Sequence, residues 1–231
     1  FLMSSNSKLN KFFDSLKFDK FRTFRKKVLD LKNYNLSLNH DYGNGYFYQS
    51  FEKINLSGLR KTKDRVKALN LDSLLYNKNV LDVGTNTGFL IMQTNLAFKN
   101  CVAIDWDKSN IEVANSCKKK LQINNIDFIC EDFLKLNTDK KFDVVMSLAN
   151  HTTYDGGIKN YKEYFLHLID HMNTNSILVF ETHHPEIEKK EQISKIMDYL
   201  KKFFIIKDAG NYNFNNYADD GREFYILEKI N

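Results

Sequence analysis

Proline is nearly missing from this chain: Pro185 stands alone among 231 residues. A collagen-like repeat is excluded outright. Cysteine is scarce as well, and Cys101, Cys117 and Cys130 are odd in number, widely spaced and set in apolar or helical surroundings. That pattern fits buried reduced thiols and not a disulfide framework. No stretch approaches the roughly 18 apolar residues of a membrane span, and Phe1-Leu2-Met3-Ser4-Ser5 runs into Lys-rich sequence with no signal-peptide core. A cytoplasmic protein without membrane insertion is expected. A strong excess of one charge is also lacking, since 34 Lys+Arg against 29 Asp+Glu leave only +5. Such a balance does not require a nucleic-acid partner. Internal repeats and clear interdomain linkers are absent too.

What is present is enough apolar chain, 42% of residues, for one sizeable domain with a continuous core. The charge is unevenly spread. Residues 1–79 hold 16 basic and 7 acidic side chains, a net +9, and residues 80–231 hold 18 and 22, a net −4. A basic N-terminal arm on a mildly acidic body suggests an anionic partner or substrate. Within residues 7–33, Leu9, Phe12, Phe13, Leu16, Phe21, Phe24, Val28 and Leu31 recur at spacings of three and four, which predicts amphipathic helix. Residues 34–58 are rich in Asn, Tyr and Gly and read as loops, and 59–76 read as helix.

From Lys78 the pattern changes to short β-branched runs: 79–83, 101–105, 126–130, 142–148 and 176–181. Each reads as a strand buried on both faces. Helical periodicity near 88–98, 108–124, 158–172 and 186–201 separates them, and this alternation predicts a parallel, doubly wound α/β sheet. The chain then departs from that rhythm, because 203–208 and 223–228 are strands with no room for a packed helix between them. They are expected to pair as an antiparallel hairpin at the end of the sheet. The division follows as residues 1–77 for a helical arm and lid, and 78–231 for the core.

The strongest local signal is Asp82-Val83-Gly84-Thr85-Asn86-Thr87-Gly88, a buried strand entering a glycine turn that opens a helix. Glycines there let a ligand approach the backbone and leave helix N-terminal amides free. The spacing is Gly-x-x-x-Gly, without the middle glycine that admits a dinucleotide pyrophosphate. A nicotinamide or flavin enzyme is disfavoured. Asp105 ends the next strand, 21 residues after Gly84, where a carboxylate accepts from both hydroxyls of a ribose. Together these describe an adenosine-type ligand without a pyrophosphate.

With Asp105-Trp106, Glu131-Asp132-Phe133 and Phe142-Asp143-Val144-Val145 following in order, residues 78–182 and the terminal hairpin resemble class I S-adenosylmethionine-dependent methyltransferases. That resemblance implies a Rossmann-like sheet of seven strands with the last strand antiparallel, behind a helical N-terminal lid. It implies S-adenosyl-L-methionine as cofactor, with Asp82, Gly84, Thr85, Asn86 and Gly88 at its methionine end, Asp105 on the ribose, and Trp106, Asp132 and Phe133 about the adenine. Leu148, closing the fourth strand, joins this set. Tyr46-Phe47-Tyr48-Gln49-Ser50 and Gly58-Leu59-Arg60 resemble the lid of methyltransferases that modify bacterial surface polysaccharides, and more distantly that of transfer-RNA wobble-uridine modifying enzymes. By that resemblance Tyr48, Gln49 and Arg60 close over the cofactor. The alternative places Arg60 and Arg65 on a solvated helix face.

Methyl transfer needs an aligned acceptor, exclusion of water and removal of any proton, so few catalytic side chains are required. The loop after the fourth strand, Asn150-His151-Thr152-Thr153-Tyr154, supplies His151 with the pKa range of a general base and Tyr154 to orient an acceptor oxygen. Glu181-Thr182-His183-His184-Pro185 aims His183 at the same pocket, or is simply a strand-to-helix loop with Pro185 starting the helix. Adenine and glutamine N-methyltransferases resemble one another in an [Asn/Asp]-Pro-Pro-Tyr motif here, and Asn150 is followed by no proline, which disfavours amide or nucleobase amine methylation. An oxygen acceptor is therefore the expectation: a sugar hydroxyl, phosphate or phosphoramidate of a small or carbohydrate-linked, anionic molecule in capsule or lipopolysaccharide synthesis. A transfer-RNA modifying enzyme is the alternative that the basic arm suggests, with nucleic acid a less favoured partner, and a non-catalytic pathway adaptor is a third. No metal site is expected, since His167, His171, His183 and His184 lack a third ligand at diagnostic spacing.

Overall fold

A computed structural model describes residues 21–36, 47–152, 160–212, 214 and 219–230. Helix α1 (Arg22–Leu36) is the described part of the basic arm. Its apolar stripe packs on the body of the protein: Val28 is fully buried, and Lys120 lies over the Phe24 ring. The basic side chains of Arg22, Lys26 and Lys27 stay exposed on the other side.

The segment expected to be loop contains strand β1 (Phe47–Gln49) and a 3₁₀ turn at Glu52–Ile54. The stretch expected to be helical opens with strand β2 (Gly58–Arg60), then α2 (Thr62–Ala68) and α3 (Leu71–Leu74), broken where Asn70 turns left-handed at φ 48°. Strands β1 and β2 pair in parallel, Phe47 opposite Gly58 and Gln49 opposite Arg60. Strands of three residues are too short to show alternation, so periodicity misses them.

The main sheet contains β3 (Asn79–Val83), β4 (Asn100–Asp105), β5 (Ile126–Cys130), β6 (Phe142–Leu148), β7 (Met172–Glu181), β8 (Phe204–Asn211) and β9 (Glu223–Lys229), in the order β5-β4-β3-β6-β7-β9-β8. Strands β3 to β7 pair in parallel, and β9 runs antiparallel to both β7 and β8. The expected hairpin is present. Burial of every strand on both faces is not: β5 and β8 are edges, and β5 keeps only Ile126 fully covered.

Helices α4 (Phe89–Gln93), α5 (Lys108–Lys120), α6 (Tyr161–Asp170) and α7 (Lys190–Leu200) form the crossovers. Helix α5 shows why the sequence starts and stops where it does. The Asp107 carboxylate accepts from the Ser109 amide at its N-terminus, and Lys118, Lys119 and Lys120 sit in its last turn, where the helix dipole favours cations. Two apolar layers sandwich the sheet. One gathers Phe47, Phe51, Ile54, Leu69, Phe89 and Cys117 from the lid and helices α1 to α5. The other gathers Tyr164, Phe165, Leu168, Ile193, Ile196 and Leu200 from α6 and α7.

The strand order reverses between β3 and β6. Ligands of open α/β sheets bind outside the carboxyl ends of the strands at such a point. No helix among the described residues is long and apolar enough to cross a membrane.

Candidate functional site

The loop after β3 is built by its hydrogen bonds. Gly84 and Thr85 amides donate to the Ile104 carbonyl, Thr85 Oγ1 donates to Asp82 Oδ2 at 2.6 Å, and the Asn86 amide donates to Asp105 Oδ2 at 2.8 Å. Gly84 and Gly88 both take φ +70°, a conformation that side chains resist. A Cβ on Gly84 would lie 2.7 Å from Asn150, and one on Gly88 within 2.5 Å of the Phe128 ring. Burial pushes the Asp82 carboxyl up to about 6, against the opposing pull of the Thr85 hydrogen bond and Arg65.

Asp105 closes β4 with its carboxylate at the mouth of this loop. Oδ1 accepts from the Asp107 amide at 2.9 Å, which together with the Asn86 bond fixes the orientation of the group. Burial raises its pKa, and these amides resist that rise. Trp106 beside it is 54% exposed, a large apolar ring left at the surface next to a fixed carboxylate. Asp132 caps the short turn at Phe133–Lys135. The Phe133 ring departs from the expectation of an adenine contact. It is 5% exposed and packs edge-on against Tyr164 and His167 within the second apolar layer, so only its backbone stays with Asp132.

The lid residues are held by the protein itself. Gln49 Oε1 accepts from the Leu90 amide at 3.1 Å, supplying the cap that Gly88 lacks at the start of α4. Arg60 and Arg65 are fully buried, not on a solvated helix face. Both converge on Glu181 at the end of β7, Arg60 Nη1 on Oε1 and Arg65 Nη2 on Oε2, each at 2.7 Å. Tyr212 donates to the same carboxylate at 2.7 Å, Arg222 Nη1 lies 3.5 Å away, and Arg60 also pairs with Asp219. Tyr48 places its hydroxyl 3.3 Å from both Arg60 and Arg222. Burial works to raise the Glu181 pKa, but the three arginines hold it well below the usual carboxylate range. Arg65 Nε and Nη1 have no hydrogen-bond partner among the described residues. Glu181 thus anchors the segment carrying Arg60 and Arg65 to the sheet, and its carboxylate is taken by these partners. Sequence reasoning missed this because its partners lie 31 to 121 residues away.

At the switch point, Leu148 ends β6 opposite Glu181, and Ala149 follows at φ 59°. That left-handed turn folds Asn150 back across β3. Its Nδ2 donates to the Val83 carbonyl at 2.8 Å, and its Oδ1 accepts from Ser147 Oγ at 2.9 Å and Tyr164 hydroxyl at 3.0 Å. His151 goes the other way. Its ring is buried against Phe180 and Phe165, and Nε2 lies 2.7 Å from Glu188 Oε1. Glu188 was not among the residues expected from sequence. It is delivered by a turn over 184–188, where Pro185 lies well before α7 and does not start it. His183 is beside this pair, and its amide donates to Glu188 Oε2 at 2.8 Å. Burial, Arg222 and His151 bring the His183 pKa down to about 4, so its ring is neutral at neutral pH. Tyr154 lies outside the described residues.

His167 and His171 are taken by backbone carbonyls, at Phe133 and His167 respectively. Cys101 and Cys117 are buried, as expected, whereas Cys130 at the edge of the sheet is exposed.

Residues 75–225, well over half of the chain, match the family model of a methyltransferase domain. The chain is 28% identical over 137 residues to the malonyl-[acyl-carrier protein] O-methyltransferase of Bacillus anthracis, an alignment covering 58% of this chain and 46% of that protein. It is 33% identical over 107 residues to the ubiquinone biosynthesis O-methyltransferase of Rickettsia prowazekii, covering 45% and 39%. The chain thus spans less than half the length of either relative. Among solved structures it superposes on the N-methyltransferase NodS from Bradyrhizobium japonicum WM9 with a TM-score of 0.62, at 15% identity over 73% of this chain and 96% of that one. The chain belongs to this methyltransferase family, as a class I S-adenosylmethionine-dependent domain with S-adenosylmethionine as its cofactor.

Proposed function

We propose that the protein transfers a methyl group to an oxygen atom of a small or carbohydrate-linked anionic acceptor, a sugar hydroxyl, phosphate or phosphoramidate of the kind found in bacterial surface-polysaccharide precursors. The observation that carries the oxygen is the state of Asn150. A side-chain carbonyl left free at this position would be a ready acceptor for the N–H of an amine or amide. Here the Asn150 carbonyl already accepts from Ser147 and Tyr164, and its amide is held by Val83. The two curated relatives described above are O-methyltransferases by name, which supports the same reading, while NodS, by name an N-methyltransferase, is alike in fold alone.

The residues present fit the cofactor. The open backbone at Gly84, Thr85, Asn86 and Gly88 receives its methionine end, Asp105 its ribose, and Trp106 with Asp132 its adenine. Leu148 lines the cleft at the end of β6. The orphaned N–H groups of buried Arg65, beside Asp82, are donors in want of an anion, and they suit a carboxylate better than Arg60, whose guanidinium is already paired. Tyr48, Gln49 and Arg60 act one step back, by fastening the lid over this end of the sheet. S-adenosylmethionine supplies a methyl group already activated on a sulfonium, so what remains for the protein is alignment and proton removal, for which His151 and His183 are the candidates.

Transfer of label from tritiated S-adenosylmethionine to a panel of nucleotide sugars, sugar phosphates and free phosphoramidates tests this against peptide amines and adenine. Label on oxygen is expected, and label confined to nitrogen acceptors would refute it. A second reading, transfer-RNA modification, is favoured by one feature: Arg22, Lys26 and Lys27 of α1 and Lys119 and Lys120 of α5 are exposed on packed neighbours. Gel shifts with bulk transfer RNA at two salt concentrations decide it, because counterion release makes such binding fall steeply with salt. Absence of a shift at low salt removes that reading.

A further inference from the structure

We propose that Glu188 is a positioning residue that fixes the tautomer of His151, and so makes the His151 Nδ1 lone pair the base that receives the acceptor's proton. The inference rests on the reading of His151 as that base and adds a second residue to it. A carboxylate oxygen only accepts, so the 2.7 Å contact to Glu188 Oε1 requires the proton on Nε2. Nδ1 is then left with its lone pair, and among the described residues it has no hydrogen-bond partner although it is buried. Neither side chain of the pair is exposed. A buried acceptor without a donor is costly to keep, and an acceptor hydroxyl is a group that would satisfy it.

Glu188 is itself held on both oxygens, Oε1 by His151 and Oε2 by the His183 amide at 2.8 Å. Burial works against its ionisation, but the hydrogen bond from His151 and that from the His183 amide oppose it, and its pKa is lowered. The pair is therefore an ionised carboxylate behind an oriented imidazole, the arrangement by which a third group directs a base. In the transfer, the O–H proton goes to Nδ1, and the oxygen pair forms the new O–C bond as the C–S bond breaks with its electrons staying on sulfur. No oxidant or reductant enters.

Nitrogen-15 spectra of the histidine rings in the full chain, free and saturated with S-adenosyl-L-homocysteine, read the tautomer directly, with His151→Gln to assign the signal. In wild type a single form is expected, protonated on Nε2. Glutamine has one carbonyl oxygen and cannot accept from both the His183 amide and Nε2. When it serves the amide, its NH₂ faces the ring, so Glu188→Gln is expected to populate the Nδ1–H form, and Glu188→Ala to let both forms exchange. A wild-type ring protonated on Nδ1, or a wild-type tautomer kept intact in both variants, would overturn the proposal. The S-adenosyl-L-homocysteine titration in the same samples separates the two ideas. Lost binding in wild type strikes the cofactor site, whereas a wrong tautomer with intact binding strikes the pair alone.

Discussion

Single side chains at the strand ends set both the chemistry and the pH response. Asp82 has its folded pKa raised from 3.8 to about 6 by burial. Between those values the folded state binds more protons than the unfolded chain, so stability falls as pH rises through that window and is flat above it. At ~1.4 kcal/mol per unit the loss is about 3 kcal/mol. Urea denaturation at pH 4 and pH 7 is expected to show it in wild type relative to Asp82→Asn, and parallel behaviour of the two proteins would contradict it. Glu181 has the opposite sign. Its pKa is depressed, so its contribution is present above its ordinary 4.5 and is lost as pH falls toward the folded value. Replacing it with Gln leaves buried Arg60 and Arg65 without their shared charge, and removing one partner of a buried pair costs about 3–5 kcal/mol. Urea denaturation at pH 7 checks it, and a change below ~1 kcal/mol would mean that Asp219 alone suffices for the cluster. Of these residues, Asp105 and the glycine loop were legible because their spacing along the chain is their geometry. Glu188 was not, because only a left-handed residue at Ala149 and a turn 35 residues further on bring it to His151.

Among the elements, the sheet was readable and the lid was not. Strands β3, β4 and β6 and the 176–181 half of β7 are largely apolar runs because both faces are covered, and covered runs stand out in sequence, whereas the polar, partly exposed start of β7 at 172–175 did not. The edge strand β5 was assigned but its exposure was not foreseen, since a run of five residues looks alike at the edge and the centre. The lid strands β1 and β2 exist through pairing and anchoring, not through propensity. Gln49 is one such anchor, holding the first turn of α4 through the Leu90 amide. Gln49→Ala is expected to lose about 1 kcal/mol, the usual worth of a helix cap. Hydrogen exchange at Leu90 should speed up, and unchanged exchange would remove Gln49 from this role. Gly88 is the second constraint on α4. Gly88→Ala drives a Cβ into the Phe128 ring at a left-handed position, a conformation costing about 1–3 kcal/mol. A thermal melt of Gly88→Ala with and without Phe128→Leu separates the two parts, since the smaller side chain relieves the clash but not the backbone.

For the molecule as a whole, the reversal of strand order between β3 and β6 decides where everything else must be. It brings the glycine loop, Asp105, Asn150 and His151 to one end of the sheet, and the lid is tied to that end through Glu181. The alternation of strands and helices foretold this layout, while the identity of the acceptor is written in side chains that meet only after folding. The basic arm illustrates the same limit. Its charge was plain in the sequence, but that its described helix packs on α5 of its own chain is a property of the fold. All of this depends on the cleft beside Gly84 receiving S-adenosylmethionine through Asp105. Calorimetric titration of wild type and Asp105→Ala with S-adenosylmethionine and S-adenosyl-L-homocysteine tests it most directly. Saturable binding by wild type, weakened about tenfold or more in Asp105→Ala, is the expected result, and tenfold corresponds to ~1.4 kcal/mol. Equal binding by the two proteins would contradict the ribose contact, and no binding by wild type would contradict the site.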